Sequence, residues 1–109
     1  MTYRNFTVET DADGVALVTW DMPGKSMNVF TMEVMDEIDA IVDQIVADAT
    51  VKGVVFASGK SQFSGGADIT MLNAMSKTME DARASDPAGA TRTLFDAAGR
   101  MSWLWRKIE

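Results

Sequence analysis

The sequence predicts an α/β fold that opens on a β-hairpin and continues with alternating helices and strands. Three observations carry that expectation. Two short β-rich runs flank Asp11-Ala12-Asp13-Gly14, a turn signal with a glycine where positive φ is wanted. Met35, Ile38, Ile41, Val42, Ile45 and Val46 then recur at spacings of three and four, one apolar stripe of a helix. After Gly53, Val54-Val55-Phe56-Ala57 is a continuous apolar run, which suits a strand buried on both faces of a sheet. Strand, helix, strand in that order implies a right-handed crossover.

The elements follow in chain order. Apolar and polar residues alternate from Phe6 to Thr10, and Val15 to Trp20 is rich in β-branched and aromatic residues, so the two runs form a hairpin. Asp21-Met22-Pro23-Gly24 ends it. Thr31 caps the following helix, which runs to Val46 with its acids concentrated in the early turns, where the helix dipole favours negative charge. The strand after Gly53 leads into the loop Phe63-Ser64-Gly65-Gly66-Ala67-Asp68. Ile69, Leu72, Met75 and Met79 mark the next helix. Asp86 as cap and Pro87 at the first helical position start the last one, with Leu94, Ala98, Met101, Trp105 and Ile108 as its apolar stripe. About three strands are too few to cover these amphipathic helices, and nine Met and three Trp need burial. The expectation is therefore the first part of a longer α/β protein.

Composition excludes several functions. The chain of 109 residues has no Cys and no His, which removes disulfides, thiolate–imidazole zinc sites and every Ser-His or Cys-His relay within it. A net charge of −6 argues against nucleic acid or anionic membrane as a partner. No apolar run approaches the ~20 residues a bilayer requires, and the N-terminus lacks the basic-then-apolar order of a secretory signal, so a cytoplasmic protein is expected.

Few motifs carry chemistry. Gly24-Lys25-Ser26 and Gly59-Lys60-Ser61 suggest a phosphate loop, but Thr19 and Val54 stand where its first glycine is needed. Most carboxylates lie on the polar face of the first helix as solvated surface. The Met stripe from Met71 to Met79 reads as adaptable core or interface filler. Trp103 and Trp105 point to opposite sides of their helix. Gly65-Gly66-Ala67-Asp68 has two readings. Its backbone N–H groups, at a helix start, are suited to an anion or a developing oxyanion. It is equally a plain strand-to-helix connection with Asp68 as N-cap, and the residues alone favour that plainer reading.

Phe63-Ser64-Gly65-Gly66-Ala67-Asp68-Ile69 closely resembles the first oxyanion-hole segment of the crotonase family, the enoyl-CoA hydratases and isomerases. Asp13 to Thr19 resembles the family's opening hairpin, Asn28-Val29 its Asn followed by a small or apolar residue, and Gly53 to Gly59 the strand before the oxyanion loop. Asp21-Met22-Pro23-Gly24-Lys25-Ser26-Met27-Asn28 is similar to the version in the multifunctional α-subunits of fatty acid oxidation complexes, where a 3-hydroxyacyl-CoA dehydrogenase is fused.

The resemblance implies a crotonase-like (ββα) superhelix, with residues 1–109 as an incomplete N-terminal part of the domain. It implies hydration of a trans-2-enoyl-CoA, with the Ala67 N–H as first oxyanion donor. Gly66, Asp68, Ile69 and Thr70 would line the acyl-CoA pocket. Lys25 and Met27 would pass the CoA nucleotide, Lys25 either pairing with a phosphate or standing as a surface lysine. The second donor and the acid/base glutamates lie further on in the family, and Glu109 matches none of them, so this chain alone is expected to be inactive. No metal or cofactor is expected in it, NAD belonging to a fused dehydrogenase. Oligomers, including one with a thiolase, are the implied partners. The alternative is a non-catalytic acidic α/β module binding acyl-CoA or a protein.

Overall fold

The computed structural model describes residues 2–109. The elements are β1 (Phe6–Thr10), β2 (Val15–Trp20), α1 (Met32–Ala47), β3 (Gly53–Ser58), α2 (Ile69–Ser85) and α3 (Pro87–Ile108). The chain divides into two compact units, one up to Gly66 and one from Ala67 onwards.

The first unit is built on a three-stranded sheet in the order β1-β2-β3. β1 runs antiparallel to β2, with Phe6 opposite Trp20 and Val8 opposite Val18. β2 and β3 are parallel, as a strand–helix–strand connection requires, with Val18 opposite Phe56. Gly14 turns the hairpin with φ +83°, as its position suggested. Strand side chains alternate between faces, so Phe6, Ala16, Val18 and Trp20 lie on one face, and all four are buried. Val34, Met35, Ile38, Ile41 and Val42 of α1 complete this core. Thr31 caps α1, its Oγ1 accepting from the Val34 N–H at 3.1 Å. The segment entering β1 is tied to the same helix: the Tyr3 hydroxyl donates to Gln44, and the Asn5 side-chain amide donates to Glu33 and Glu37. Burial, and next to it Glu37, pushes the Tyr3 phenol above its ordinary pKa.

Two expectations fail here. β3 is not buried on both faces, because Val55 is 48% exposed and sits opposite Leu17, itself 39% exposed. A continuous apolar run looks the same whether its second face is covered or merely apolar. In α1 the buried stripe includes Val34, and Val46 is 70% exposed, one turn past the point where the core ends.

The second unit consists of α2 and α3, which pack against each other. Asp86 alone separates them. Its N–H donates to the Ala82 carbonyl to close α2, and its carboxylate accepts from the Gly89 N–H to open α3, with Pro87 in the first turn. No residue of α2 is buried, so Ile69 and Leu72 are not core residues. The stripe expected on α3 holds only in part, since Met101, Trp105 and Ile108 are half-buried but its first two residues are not covered. Ala90 and Leu104 are its buried residues, while Leu94 and Ala98 are exposed. Helices with apolar residues on more than one face do not reveal from spacing alone which stripe is covered. Trp103 is exposed and Trp105 half-buried, in keeping with their opposite directions.

Candidate functional site

The loop that leaves β2, residues 21–30, is organised from inside by one side chain. Asn28 is fully buried. Its Oδ1 accepts from the Met22 N–H at 3.1 Å. Its Nδ2 is directed at the carbonyls of Trp20 and Phe63, at 2.8 and 3.1 Å, and at the Ser58 hydroxyl at 3.0 Å. The end of β2, the end of β3 and the loop beyond β3 are thus joined through one amide. Its main chain extends the same link, because the Asn28 carbonyl accepts from the Gly65 N–H at 2.7 Å. The Phe30 N–H in turn donates to the Gly66 carbonyl at 2.8 Å. An amide buried with both its ends satisfied stabilises the arrangement, whereas each orphaned group would cost about 1–3 kcal/mol.

Aromatic packing fixes the same loop from its apolar side. The Trp20 ring stacks on Phe6, tilts against Phe30 and meets the Phe63 ring edge-on with centroids 5.7 Å apart. Ser64 then receives the Gly66 N–H on its hydroxyl at 3.0 Å. Gly66 adopts φ +94°, a conformation a Cβ resists, and this turns the chain just before Ala67. Gly65 lies under Met27: a Cβ there would come within 3.1 Å of the Met27 sulfur. Of the residues singled out from the sequence, Met27 and Gly66 therefore belong to one neighbourhood in the first unit.

Lys25 is exposed on the outer part of loop 21–30. It lines an open groove of about 270 Å³ together with Arg4, Asn5, Met22, Pro23, Thr31 and Glu33. In the second unit, Ala67 is exposed and Asp68 is the N-cap of α2, its Oδ1 accepting from the Met71 N–H at 3.2 Å. The plainer reading of the Gly65–Asp68 segment thus holds in that Asp68 caps a helix, with Ala67 directly before it. Ile69 and Thr70 follow in the first turn and are exposed.

Two residues of this neighbourhood escaped the sequence reading in their actual roles. Asn28 stood only as part of a pattern, not as the hub of the loops. Lys60 stood only in a failed phosphate loop, yet its ammonium folds inward onto loop 21–25. The available signal was a single amide set between Met27 and Val29 after a Pro-Gly turn.

The family model for enoyl-CoA hydratase/isomerase matches residues 10–97, most of the chain. The chain belongs to the enoyl-CoA hydratase/isomerase family. Among its relatives, a fatty acid oxidation complex subunit alpha from Shewanella amazonensis is 46% identical over 81 residues, 73% of this chain and 11% of the relative. The chain thus spans only a small part of the length of that curated relative. A crystal structure described as an enoyl-CoA hydratase/isomerase (crotonase) from Legionella pneumophila superposes with TM-score 0.71 at 21% identity, over 98% of this chain and 36% of that one. An enoyl-CoA hydratase/isomerase from Xanthobacter autotrophicus gives TM-score 0.55 at 35% identity, over 73% of this chain and 27% of that one. The hairpin, the crossover helix and the glycine loop described above are therefore a crotonase-fold arrangement. No helix among the described residues is long and apolar enough to cross a membrane.

Proposed function

We propose that residues 1–109 form the N-terminal part of a crotonase-like domain and serve the hydration of a trans-2-enoyl-CoA. In that reaction the oxygen of water bonds to C3 and a proton is added at C2, giving a 3-hydroxyacyl-CoA. Negative charge accumulates on the thioester oxygen along the way. A backbone N–H aimed at that oxygen lowers the barrier, one such donor being worth about 3–4 kcal/mol. The Ala67 N–H is assigned this role. The observation that supports it is Gly66 at φ +94° followed by the exposed Ala67 at the head of α2, in a chain of this family.

Gly66, Asp68, Ile69 and Thr70 are assigned to the acyl-CoA pocket. Lys25 and Met27 are assigned to the passage of the CoA nucleotide, the Lys25 ammonium facing a phosphate. No residue of this chain is assigned the acid/base role, so these residues bind and polarise substrate without themselves adding water. No cofactor is assigned to them, NAD being the coenzyme of a fused 3-hydroxyacyl-CoA dehydrogenase. The names of the relatives support a place in an oxidation complex, with a thiolase as the partner subunit and the cytoplasm as the compartment.

The test is crotonyl-CoA hydration by the protein as its source makes it, followed as loss of enoyl-thioester absorbance. Ala67→Pro deletes the N–H and should lower kcat by about 10²–10³ with less effect on KM. Hydration that proceeds at the wild-type rate in Ala67→Pro removes the donor from Ala67. Absence of hydration in the wild type removes the reaction itself.

A further inference from the structure

Lys60 is set unlike the other lysines of this chain. It follows β3 directly, and its side chain is only 11% exposed. Its Nζ lies 2.7 Å from Asp21 Oδ1, 2.8 Å from the Met22 carbonyl and 2.7 Å from the Lys25 carbonyl. An ammonium has three N–H donors, and here each has an acceptor. Two of the three are main-chain carbonyls of the same short loop, at the beginning and end of Met22-Pro23-Gly24-Lys25. A lysine that served only to pair with Asp21 at the surface would be worth little and would not need to be covered. One whose largely covered ammonium gathers two carbonyls and a carboxylate holds backbone.

The two segments approach closely at residue 59, where an added side chain would have to displace the Asp21 carboxylate. A Cβ on Gly59 would lie 2.7 Å from Asp21 Oδ2 and 2.9 Å from its Cγ. The Gly59 N–H also donates to the Trp20 carbonyl at 3.0 Å. The Lys60 N–H donates to the Ser58 hydroxyl, which in turn receives the Asn28 amide. Lys60 is thereby anchored at its main chain to the Asn28 network and reaches with its ammonium to the outer end of the loop.

We propose that Lys60 is a positioning residue for acyl-CoA binding: its ammonium fixes the backbone from which Lys25 and Met27 project. The inference rests on the assignment of Lys25 and Met27 to the CoA nucleotide. Lys60 touches no substrate. It acts by holding the Lys25 carbonyl, and with it the direction of the Lys25 side chain, so that no loop ordering is required when the nucleotide binds.

The test compares two substrates of the same protein, crotonyl-CoA and crotonyl-pantetheine, which lacks the nucleotide. Lys60→Met should raise KM for crotonyl-CoA by about tenfold, with a smaller change in kcat, and leave KM for crotonyl-pantetheine near the wild-type value. Lys60→Arg keeps the charge but not the compact three-way geometry and should fall between the two. Gly59→Ala displaces the Asp21 carboxylate but leaves both carbonyl bonds of Lys60, so it should raise KM for crotonyl-CoA less than Lys60→Met does. Lys60→Arg decides the matter if Lys60→Met does not fold. An equal rise in KM for both substrates, or none for either, overturns the positioning role while leaving hydration in place. A wild type that hydrates neither substrate overturns the underlying reading and this inference with it.

Discussion

Up to Gly66, Val18, Trp20, Ile38 and Ile41 are almost completely enclosed, whereas from Ala67 onwards the buried hydrophobic residues are Ala90 and Leu104. The hydrogen bonds differ in the same way. In the first region Tyr3 reaches Gln44, Asn28 reaches Phe63 and Lys60 reaches Lys25. In the second, the side chains of Asp68, Thr78, Ser85, Asp86, Arg92 and Thr93 bond to groups three or four residues away. The named side-chain bonds of the first region therefore join segments distant in sequence, whereas those of the second stay within a helix or its cap, beside the packing of α2 on α3. The glycine loop lies where one regime gives way to the other.

The largest expected effect separates the two regimes directly. Ile41→Ala removes a fully enclosed side chain and should lower the opening free energy of the β2 amides by about 3–4 kcal/mol, read by hydrogen exchange. Leu72→Ala, on the open α2, should change the protection of its own helix by less than about 0.5 kcal/mol. Similar losses at the two positions would mean that α2 is as well packed as α1, and the contrast would fail.

How much of this was legible in the sequence follows the same division. The hairpin, α1 and both caps at Asp68 and Asp86 were legible, because turn chemistry, periodicity and capping act over a few residues. The covered stripe of α3 was legible only in its second half, at Met101, Trp105 and Ile108. Leu94 and Ala98 are as apolar as Ala90 and Leu104, and only tertiary packing chooses between them. The open face of β3 at Val55 is not legible for a related reason, since coverage of a sheet face is not written in the strand. At the candidate site, Gly65-Gly66-Ala67-Asp68 was visible as a motif. The inward turn of Lys60 was not, because a lysine after a strand is ordinarily solvated and nothing local marks its three acceptors.

A middle-sized effect compares the helix caps of the two regions. Thr31→Ala and Asp68→Ala each delete one cap and should cost its helix about 1 kcal/mol. The spread should differ. α1 shares its core with the sheet, so the loss at Thr31 should appear in β2 amides as well. α2 contributes no buried residue, so the loss at Asp68 should stay within its first turns. Exchange measured residue by residue distinguishes the two patterns, and equal spread from both caps would erase the distinction.

The smallest effect asks whether the order of the first region extends to its exposed turns. Asp48 ends α1 and is fully exposed, yet its Oδ1 accepts from the Thr50 hydroxyl at 2.6 Å and from the Thr50 N–H at 2.9 Å. Those two bonds, the hydroxyl first, favour the carboxylate and hold its pKa below the ordinary aspartate value. The sign follows from linkage. A carboxyl whose pKa is lower in the folded state binds fewer protons there than in the unfolded chain. Its contribution is therefore complete above the unfolded pKa and is lost as pH falls through the lowered folded value. Titrating Asp48 by its carboxyl carbon shift should show the lowered midpoint, and Thr50→Ala, which keeps the N–H and removes the hydroxyl, should move it part of the way back. A midpoint at the ordinary aspartate value in the unmodified chain would mean that this turn is as loose as a solvated loop. The tight contacts of the first region would then stop at its core and at the Asn28 network.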